Sequence, residues 1–199
     1  GAVFSIPMLS PSEAILMSFS ELGTLGILIT VVISMGVIAG EIKSGVYELI
    51  LSKPVSYANY ITSKFAAISL MVFISLLVSM LAGWYYVDFL FGDLNLAQVI
   101  MSTVFFACYF LFLIAIVILV NTLFKSPGLV AFLSIIIIVV VNTITSIYKH
   151  VLTWSPATID NHISNYLLSN EINTDLWVSA LVSLILSAVL LAAATAILK

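Results

Sequence analysis

Long apolar runs separated by short polar stretches dominate the chain, and five runs are long enough to cross a membrane as helices. An α-helix rises about 1.5 Å per residue, so about 20 apolar residues cover the roughly 30 Å hydrocarbon core of a bilayer. A lone strand in lipid would leave its backbone groups unpaired, so helix is favoured even in β-branched runs. The pattern therefore predicts an all-α polytopic membrane bundle, forming a single transmembrane domain over residues 1–199. We place its spans at about 22–40, 65–87, 99–120, 128–147 and 177–198.

Two polar regions outside these spans have amphipathic character. Residues 1–21 are mixed, and we interpret them as an interfacial approach to the membrane. Residues 148–176 form the longest polar region, in which helical spacing predicts a short amphipathic helix that lies on the membrane surface or dips into it. The apolar face of that helix would consist of Ile159, Ile163, Tyr166 and Leu167.

Composition narrows the class of protein. Hydrophobic residues make up 63% of the chain and charged residues only 8%, whereas soluble domains are about 25% charged. A soluble single domain is therefore excluded. The net charge of −3 and the absence of any basic cluster give no indication of nucleic-acid binding. The single cysteine, Cys108, has no partner for a disulfide within the chain.

The lysines indicate an orientation. With five spans, the connecting segments alternate between the two sides of the membrane. All lysines but Lys149 then fall on the same side. Loops rich in lysine face the cytoplasm. We therefore expect 41–64 to be cytoplasmic, 1–21 and 148–176 to be extracytoplasmic, and the protein to lie in the plasma membrane. The lysines on the cytoplasmic side are Lys43, Lys53, Lys64, Lys125 and Lys199.

The segment 41–64, which reads EIKSGVYELILSKPVSYANYITSK, carries more charge than the apolar blocks on either side of it. Helical spacing predicts an amphipathic helix in its first half, ended by Pro54, with Ser56 as the N-cap of a second helix. Its apolar side would hold Val46, Leu49, Ile50 and the stem of Lys53, and its wetter side Glu41, Lys43, Ser44 and Glu48.

These residues resemble the cytoplasmic coupling region of type 2 permeases of the ATP-binding-cassette transporters, including the copper-enzyme-maturation and multidrug export branch. The pattern is an acidic residue, a basic residue, Gly, Glu-Leu, apolar residues, Pro-Val-Ser and a later Lys. Here Val46 replaces the usual Thr and Tyr57 the usual Arg, so the contact made by that Arg is not carried over. The pattern is met by Glu41, Lys43, Gly45, Glu48, Leu49, Leu51, Pro54, Val55, Ser56 and Lys64.

The resemblance implies a permease subunit of an ATP-driven transporter, with export as the expected direction. Two copies would pair, substrate would move between them, and each copy would dock a separate ATP-hydrolysing subunit. Relatives usually carry one more helix before this point, so we expect six spans in the full protein. The residues expected to contact the ATP-hydrolysing partner are Glu41, Lys43, Gly45, Glu48, Leu49, Leu51 and Pro54.

Other functions are compatible with parts of the same sequence. A non-transporting anchor or assembly subunit fits the same hydropathy, and 41–64 could then be a passive loop. A secondary transporter is disfavoured because no ionisable residue lies at mid-span. Catalytic motifs and phosphate-cradling loops are missing, so we expect no enzyme activity, no cofactor and no nucleotide site in this chain.

Two smaller features leave alternatives open. Asn142 is the most polar residue within a span, where an interhelical hydrogen bond is favoured over a substrate contact. His150 and His162 lie twelve residues apart beside several carboxylates, which is a weak signal for metal, and we predict no metal site.

Overall fold

The computed structural model describes residues 10–46 and 56–198, and within them every regular element is a helix. Five helical segments are long and apolar enough to cross a membrane, which confirms the predicted all-α polytopic bundle. We number the described helices in chain order and give their bounds as follows: α1 Pro11–Ser34, α2 Ala39–Lys43, α3 Tyr57–Phe91, α4 Leu96–Leu123, α5 Pro127–Ile147, a 3-10 turn Pro156–Thr158, α6 Ile159–Ser169 and α7 Thr174–Leu198.

Helix α4 is the centre of the bundle. In its most apolar stretch 78% of the residues are buried, against 17–28% in the other four spanning segments. A helix that is apolar all round has no face to offer to water and is enclosed by its neighbours. Helices α1, α3, α5, α6 and α7 all pack on α4. Aromatic rings join α1 to it, with the Phe19 and Phe106 ring centroids 5.4 Å apart and nearly perpendicular.

The start of α1 lies earlier than the sequence suggested. Ser10 is the N-cap, its hydroxyl accepts the Glu13 N–H at 3.3 Å, and the Glu13 carboxylate accepts the Ser10 N–H in return. Pro11 suits the first helical turn, because its missing N–H would have no partner there. This reciprocal cap begins a helix that continues without a break to Ser34, so residues 11–21 are continuous with the first spanning helix.

Helix α3 is longer than a bilayer requires. Its 35 residues give a length of about 52 Å, against roughly 30 Å of hydrocarbon. Ser56 caps it, as predicted, by accepting the Asn59 N–H at 3.2 Å. Residues near both of its ends are buried, among them Ile61 and Val87. We call the end of the bundle that contains 34–46, 56–64 and 117–127 the Lys end, and the opposite end the α6 end.

Helix α6 packs on the bundle by one face and exposes the other. Its buried residues are the four predicted for the apolar face, but that face packs against α1, α4 and α7. Hydroxyl groups turn the chain back into the bundle: Thr145 Oγ1 and Ser155 Oγ lie 2.9 Å apart, and the Thr158 hydroxyl donates to the Thr153 carbonyl at 2.8 Å. These hydrogen bonds satisfy groups that would otherwise be unpaired in an apolar environment.

Small residues let two helices approach α4 closely. A Cβ atom at Gly26 would lie 3.2 Å from Phe110 Cζ, so the absence of a side chain lets α1 pack closely on α4 there. Thr30 and Ser34, in the same four-residue register, are buried beside it. Ser179, Ser183 and Ser187 of α7 are buried as well. The small-residue faces of α1 and α7 therefore serve packing within one chain.

Candidate functional site

The Lys end begins where the first spanning segment breaks. Helix α1 ends at Ser34, residues 35–38 form turns, and the short helix α2 starts at Ala39. A helix that breaks inside an apolar bundle leaves backbone groups without their usual partners. The break therefore needs a polar side chain from another helix.

Asn121 of α4 supplies that side chain. Its Oδ1 accepts the Ala39 N–H at 3.1 Å, and its Nδ2 donates to the Ser34 carbonyl at 2.9 Å. The same Nδ2 donates to the Val117 carbonyl of its own helix at 3.0 Å. Asn121 is fully buried. One amide thus bonds to both sides of the break and fixes α2 to the end of the central helix.

A charged group joins α2 to α3 on the other side. The Glu41 carboxylate forms an ion pair with Lys64 and accepts the Tyr60 hydroxyl at 2.5 Å. The Lys64 ammonium also lies 5.7 Å from the centre of the Tyr60 ring. The Glu41 and Lys64 side chains are 24% and 27% exposed, so water still screens the pair. Glu41 therefore faces α3, although we expected it on the wetter face that meets a partner.

Neutralising this ion pair is expected to change stability only slightly. Glu41→Gln keeps an acceptor for the Tyr60 hydroxyl and removes the charge, so the free energy of unfolding should fall by about 0.2–1 kcal/mol, as for other exposed pairs. Thermal unfolding of the purified protein measures this, with Lys43→Gln as the control for loss of an unpaired exposed charge. A double-mutant cycle with Lys64→Gln isolates the pair, and a coupling well above about 1 kcal/mol would contradict the screening argument.

The residues after Glu41 point away from the bundle. Lys43, Ser44, Gly45 and Val46 are all exposed, and Lys43 forms no ion pair within the described part of the chain. Gly45 has a φ of +75°, a conformation that side chains with a Cβ rarely adopt. Lys43 and Gly45 of the predicted site thus share one exposed surface. The remaining predicted contact residues, Glu48, Leu49, Leu51 and Pro54, lie outside the described residues.

Asn121 and Tyr60 were not among the residues selected from the sequence. Asn121 stands at the end of an apolar run, where a polar residue also marks an ordinary helix terminus. The sequence feature that could have indicated a buried polar partner is the Gly-Val-Ile-Ala-Gly stretch at 36–40. A helix break there leaves backbone groups that need a hydrogen-bond partner from another helix. Only the packing of α1 on α4 shows that the two features meet.

Polar residues at the α6 end have structural partners. The Tyr109 hydroxyl donates to Asn142 Oδ1 at 3.0 Å, which is the interhelical hydrogen bond favoured for Asn142. His162 Nε2 lies 2.9 Å from the Thr153 carbonyl, and a carbonyl only accepts, so that nitrogen carries the proton. In the described ranges, no group of three His, Cys, Asp or Glu side chains is arranged to hold a metal ion.

In the described part of the chain, four spanning helical segments pack around a buried fifth, which defines a polytopic membrane protein, here with a break in its first segment bonded to the central helix. The chain belongs to the ABC-2 family transporter proteins, because residues 6–199 match the model of that family.

One curated relative of this chain is the uncharacterized transmembrane protein YxlG of Bacillus subtilis (strain 168), which is 31% identical over 171 residues. The match covers 86% of this chain and 66% of that relative, so this chain spans slightly less than two thirds of its length. No solved structure matches the chain.

Proposed function

We propose that this chain is the permease subunit of an ATP-driven transporter and that 41–54 receives motion from a separate ATP-hydrolysing subunit. The observation that carries this proposal is the Asn121 amide, which bonds to both sides of the break between α1 and α2. The family of the chain supplies the class of machine. Coupling by this segment is our inference from its contacts.

The contacts of α2 suit a lever. Motion applied to the exposed residues 43–46 would pass through Asn121 to α4 and through Glu41 to α3. Helix α4 packs on every other spanning segment, so its displacement would rearrange the whole bundle. Interfaces between packed helices change between discrete arrangements instead of deforming continuously. A small movement at α2 would in this way change access through the membrane.

The predicted contact residues divide into two roles in this proposal. Glu41 holds α2 to α3, since its carboxylate is taken up by Lys64 and Tyr60. Lys43 and Gly45 meet the partner, because both lie on the exposed surface. Lys43 would set the register of the interface more than its affinity. We further assign partner contacts to the other predicted residues, which are Glu48, Leu49, Leu51 and Pro54.

Orientation, pairing and direction are further parts of the proposal. The lysine bias supports a cytoplasmic Lys end and a plasma-membrane location. A second copy of a permease subunit would complete the path for substrate, and export remains the direction that the sequence resemblance favours. A non-transporting anchor is the alternative, and it would have no need of a bonded lever on α4.

Reversing the charge of Glu48 tests the proposal directly. In membranes that contain this subunit and its ATP-hydrolysing partner, Glu48→Lys should weaken retention of the partner at least about tenfold, because it places like charges together at the interface. Substrate-dependent ATP hydrolysis should fall with it. Glu171→Lys, an exposed change at the α6 end, is the control and should leave both unchanged. Wild-type retention and coupling in Glu48→Lys would favour the anchor.

A further inference from the structure

A polar cleft opens between α1, α4, α5 and the start of α6. Its cavity volume is about 240 Å³, and it reaches from the first turn of α6 to Tyr109 on the central helix. Tyr109 lies 13 residues along α4, or about 20 Å from the start of that helix, so the cleft extends well into the bundle. The polar side chains that line it include Ser20, Thr24, Tyr109, Asn142, Asp160 and Asn161.

An apolar lobe continues the cleft along the seam between α1 and α5. Its cavity volume is about 280 Å³, and Gly23, Thr24, Ile27 and Asn142 line both lobes. The cleft and the lobe therefore form one groove, which we call the α1–α5 groove, polar at the α6 end and apolar toward mid-membrane. The side chains found only in the apolar lobe are Leu28, Ile135, Ile138 and Val139.

Asp160 gives the polar end its charge. It is the one charged residue among those that line the groove, where no lysine, arginine or histidine is present. Its carboxylate has no ion pair or hydrogen bond to the residues that the structure describes. Solvent reaches it through the cleft, yet the protein packed around it raises the pKa of the Asp160 carboxyl above its ordinary value. Asp160 thus places an unpaired carboxylate at the open, polar end of the cleft, where it can meet a cation that enters from solvent.

We propose that the α1–α5 groove binds a single-chain amphiphile with an ammonium head, which pairs with Asp160 while the alkyl chain lies in the apolar lobe. The polar lining offers hydroxyl and amide oxygens to the ammonium hydrogens, and Asn142 stands where head and chain meet. An alkyl chain placed along Ile135 to Val139 points toward the middle of the membrane, as chains of the surrounding lipid do.

Size and charge exclude other amphiphiles. The apolar lobe, at about 280 Å³, lies below the roughly 300–1,000 Å³ range of pockets that hold drug-sized molecules, so its size suits one alkyl chain better than two. A phosphate or sulfate head would face the Asp160 carboxylate with no cation between them, and this juxtaposition of like charges disfavours an anionic head. The site lies within one copy of the chain, and it requires neither the coupling segment nor an ATP-hydrolysing partner.

Photolabelling tests the site. The protein chain, residues 1–199, is placed in phosphatidylcholine nanodiscs and exposed to dodecylamine that carries a diazirine on its alkyl tail. Two further probes carry the same alkyl tail and diazirine with a sulfate or a glucoside head. We expect the ammonium probe to label peptides that contain 23–28 and 135–139, and unlabelled dodecylamine to compete. Asp160→Asn should raise the half-saturating concentration at least about tenfold, as expected for loss of a charge-assisted contact.

Three variants complete the test. Asp160→Glu keeps the charge and should retain labelling, whereas Glu171→Gln removes an exposed carboxylate near the same end and should change nothing. Val139→Phe fills the apolar lobe from a position that is already exposed, so folding should survive while labelling falls. Equal labelling by the three head groups, or labelling that Asp160→Asn does not weaken, would overturn the proposal. Because no ATP-hydrolysing subunit is present, failure of the coupling proposal would not alter these results.

Discussion

Replacing Asn121 by leucine is expected to destabilise the bundle by about 1–3 kcal/mol, the cost of leaving a buried hydrogen-bonding group unsatisfied. The Ala39 N–H is buried and its bond to Asn121 Oδ1 crosses from α2 to α4, with no second acceptor within the described part of the chain. The Ser34 carbonyl loses less, since the Val37 N–H also reaches it at 3.3 Å. Leucine has the same number of side-chain heavy atoms with the same branching, so the shape is largely kept and the change in stability chiefly reports the lost hydrogen bonds.

Thermal or denaturant unfolding of the purified chain in detergent measures this change. Asn142→Leu is the matched control, because it makes the same substitution at the other interhelical amide. Asn142 bonds to the Tyr109 hydroxyl beside the polar cleft, where water can replace the lost partner, so about 0.6 kcal/mol is expected there. Equal losses in the two variants would mean that the break between α1 and α2 does not depend on Asn121.

Asn121→Leu should affect the coupling of ATP hydrolysis to transport more than it affects the stability of the chain. Under the proposed function, an α2 that is no longer bonded to α4 would not pass motion at 41–46 to the central helix, so ATP hydrolysis by the partner should continue without transport. In reconstituted membranes, Asn121→Leu should therefore separate the two activities at temperatures where the chain is still folded. Coupled transport at the wild-type level would remove the observation on which the proposed function rests.

The membrane class could be predicted from the sequence because its physical cause is local. A run of about 20 apolar residues has one stable conformation in lipid, whatever its neighbours are. The capping residue Ser56 could also be predicted, since a cap acts within one turn. Helix ends were less predictable: α1 starts at Pro11 and α3 continues to Phe91, because a helix does not stop where the apolar run stops.

Contacts between distant segments could not be predicted in the same way. Asn121 lies 82 residues after Ala39, and nothing within either segment specifies the other. The inward direction of Glu41 depends on where α3 lies, and Lys64 is 23 residues away. Helix α6 has the periodicity of a surface helix, and its apolar face packs on protein instead of lipid. Periodicity reports that a face is apolar and does not report what covers it.

Substituting Gly45 is the sharpest test of the exposed surface at the Lys end. Its φ of +75° lies in the left-handed region, and a Cβ atom there would meet nothing within 4 Å. A side chain at this position therefore has two separable effects. It strains the backbone, by about 1–2 kcal/mol for most residues, and it occupies space that a partner would need. The isolated chain experiences only the first effect.

Asparagine and valine distinguish these effects. Asparagine tolerates the left-handed conformation, whereas β-branched valine does not, so Gly45→Asn should leave the isolated chain close to wild type while Gly45→Val destabilises it. Gly40→Ala is the control, because Gly40 lies in α2 with ordinary helical geometry and equally open surroundings. That change should be neutral or slightly stabilising, since alanine favours helix more than glycine does.

When the ATP-hydrolysing partner is present, the same Gly45 variants test coupling. If an ATP-hydrolysing subunit approaches the backbone at Gly45, both Gly45→Asn and Gly45→Val should reduce its retention and uncouple ATP hydrolysis from transport. The asparagine variant is decisive, because it keeps the fold and adds volume. Retention and coupled ATP hydrolysis are measured together in reconstituted membranes. Wild-type values for Gly45→Asn would show that the partner does not approach this surface, and 41–54 would then be an ordinary loop between two spans.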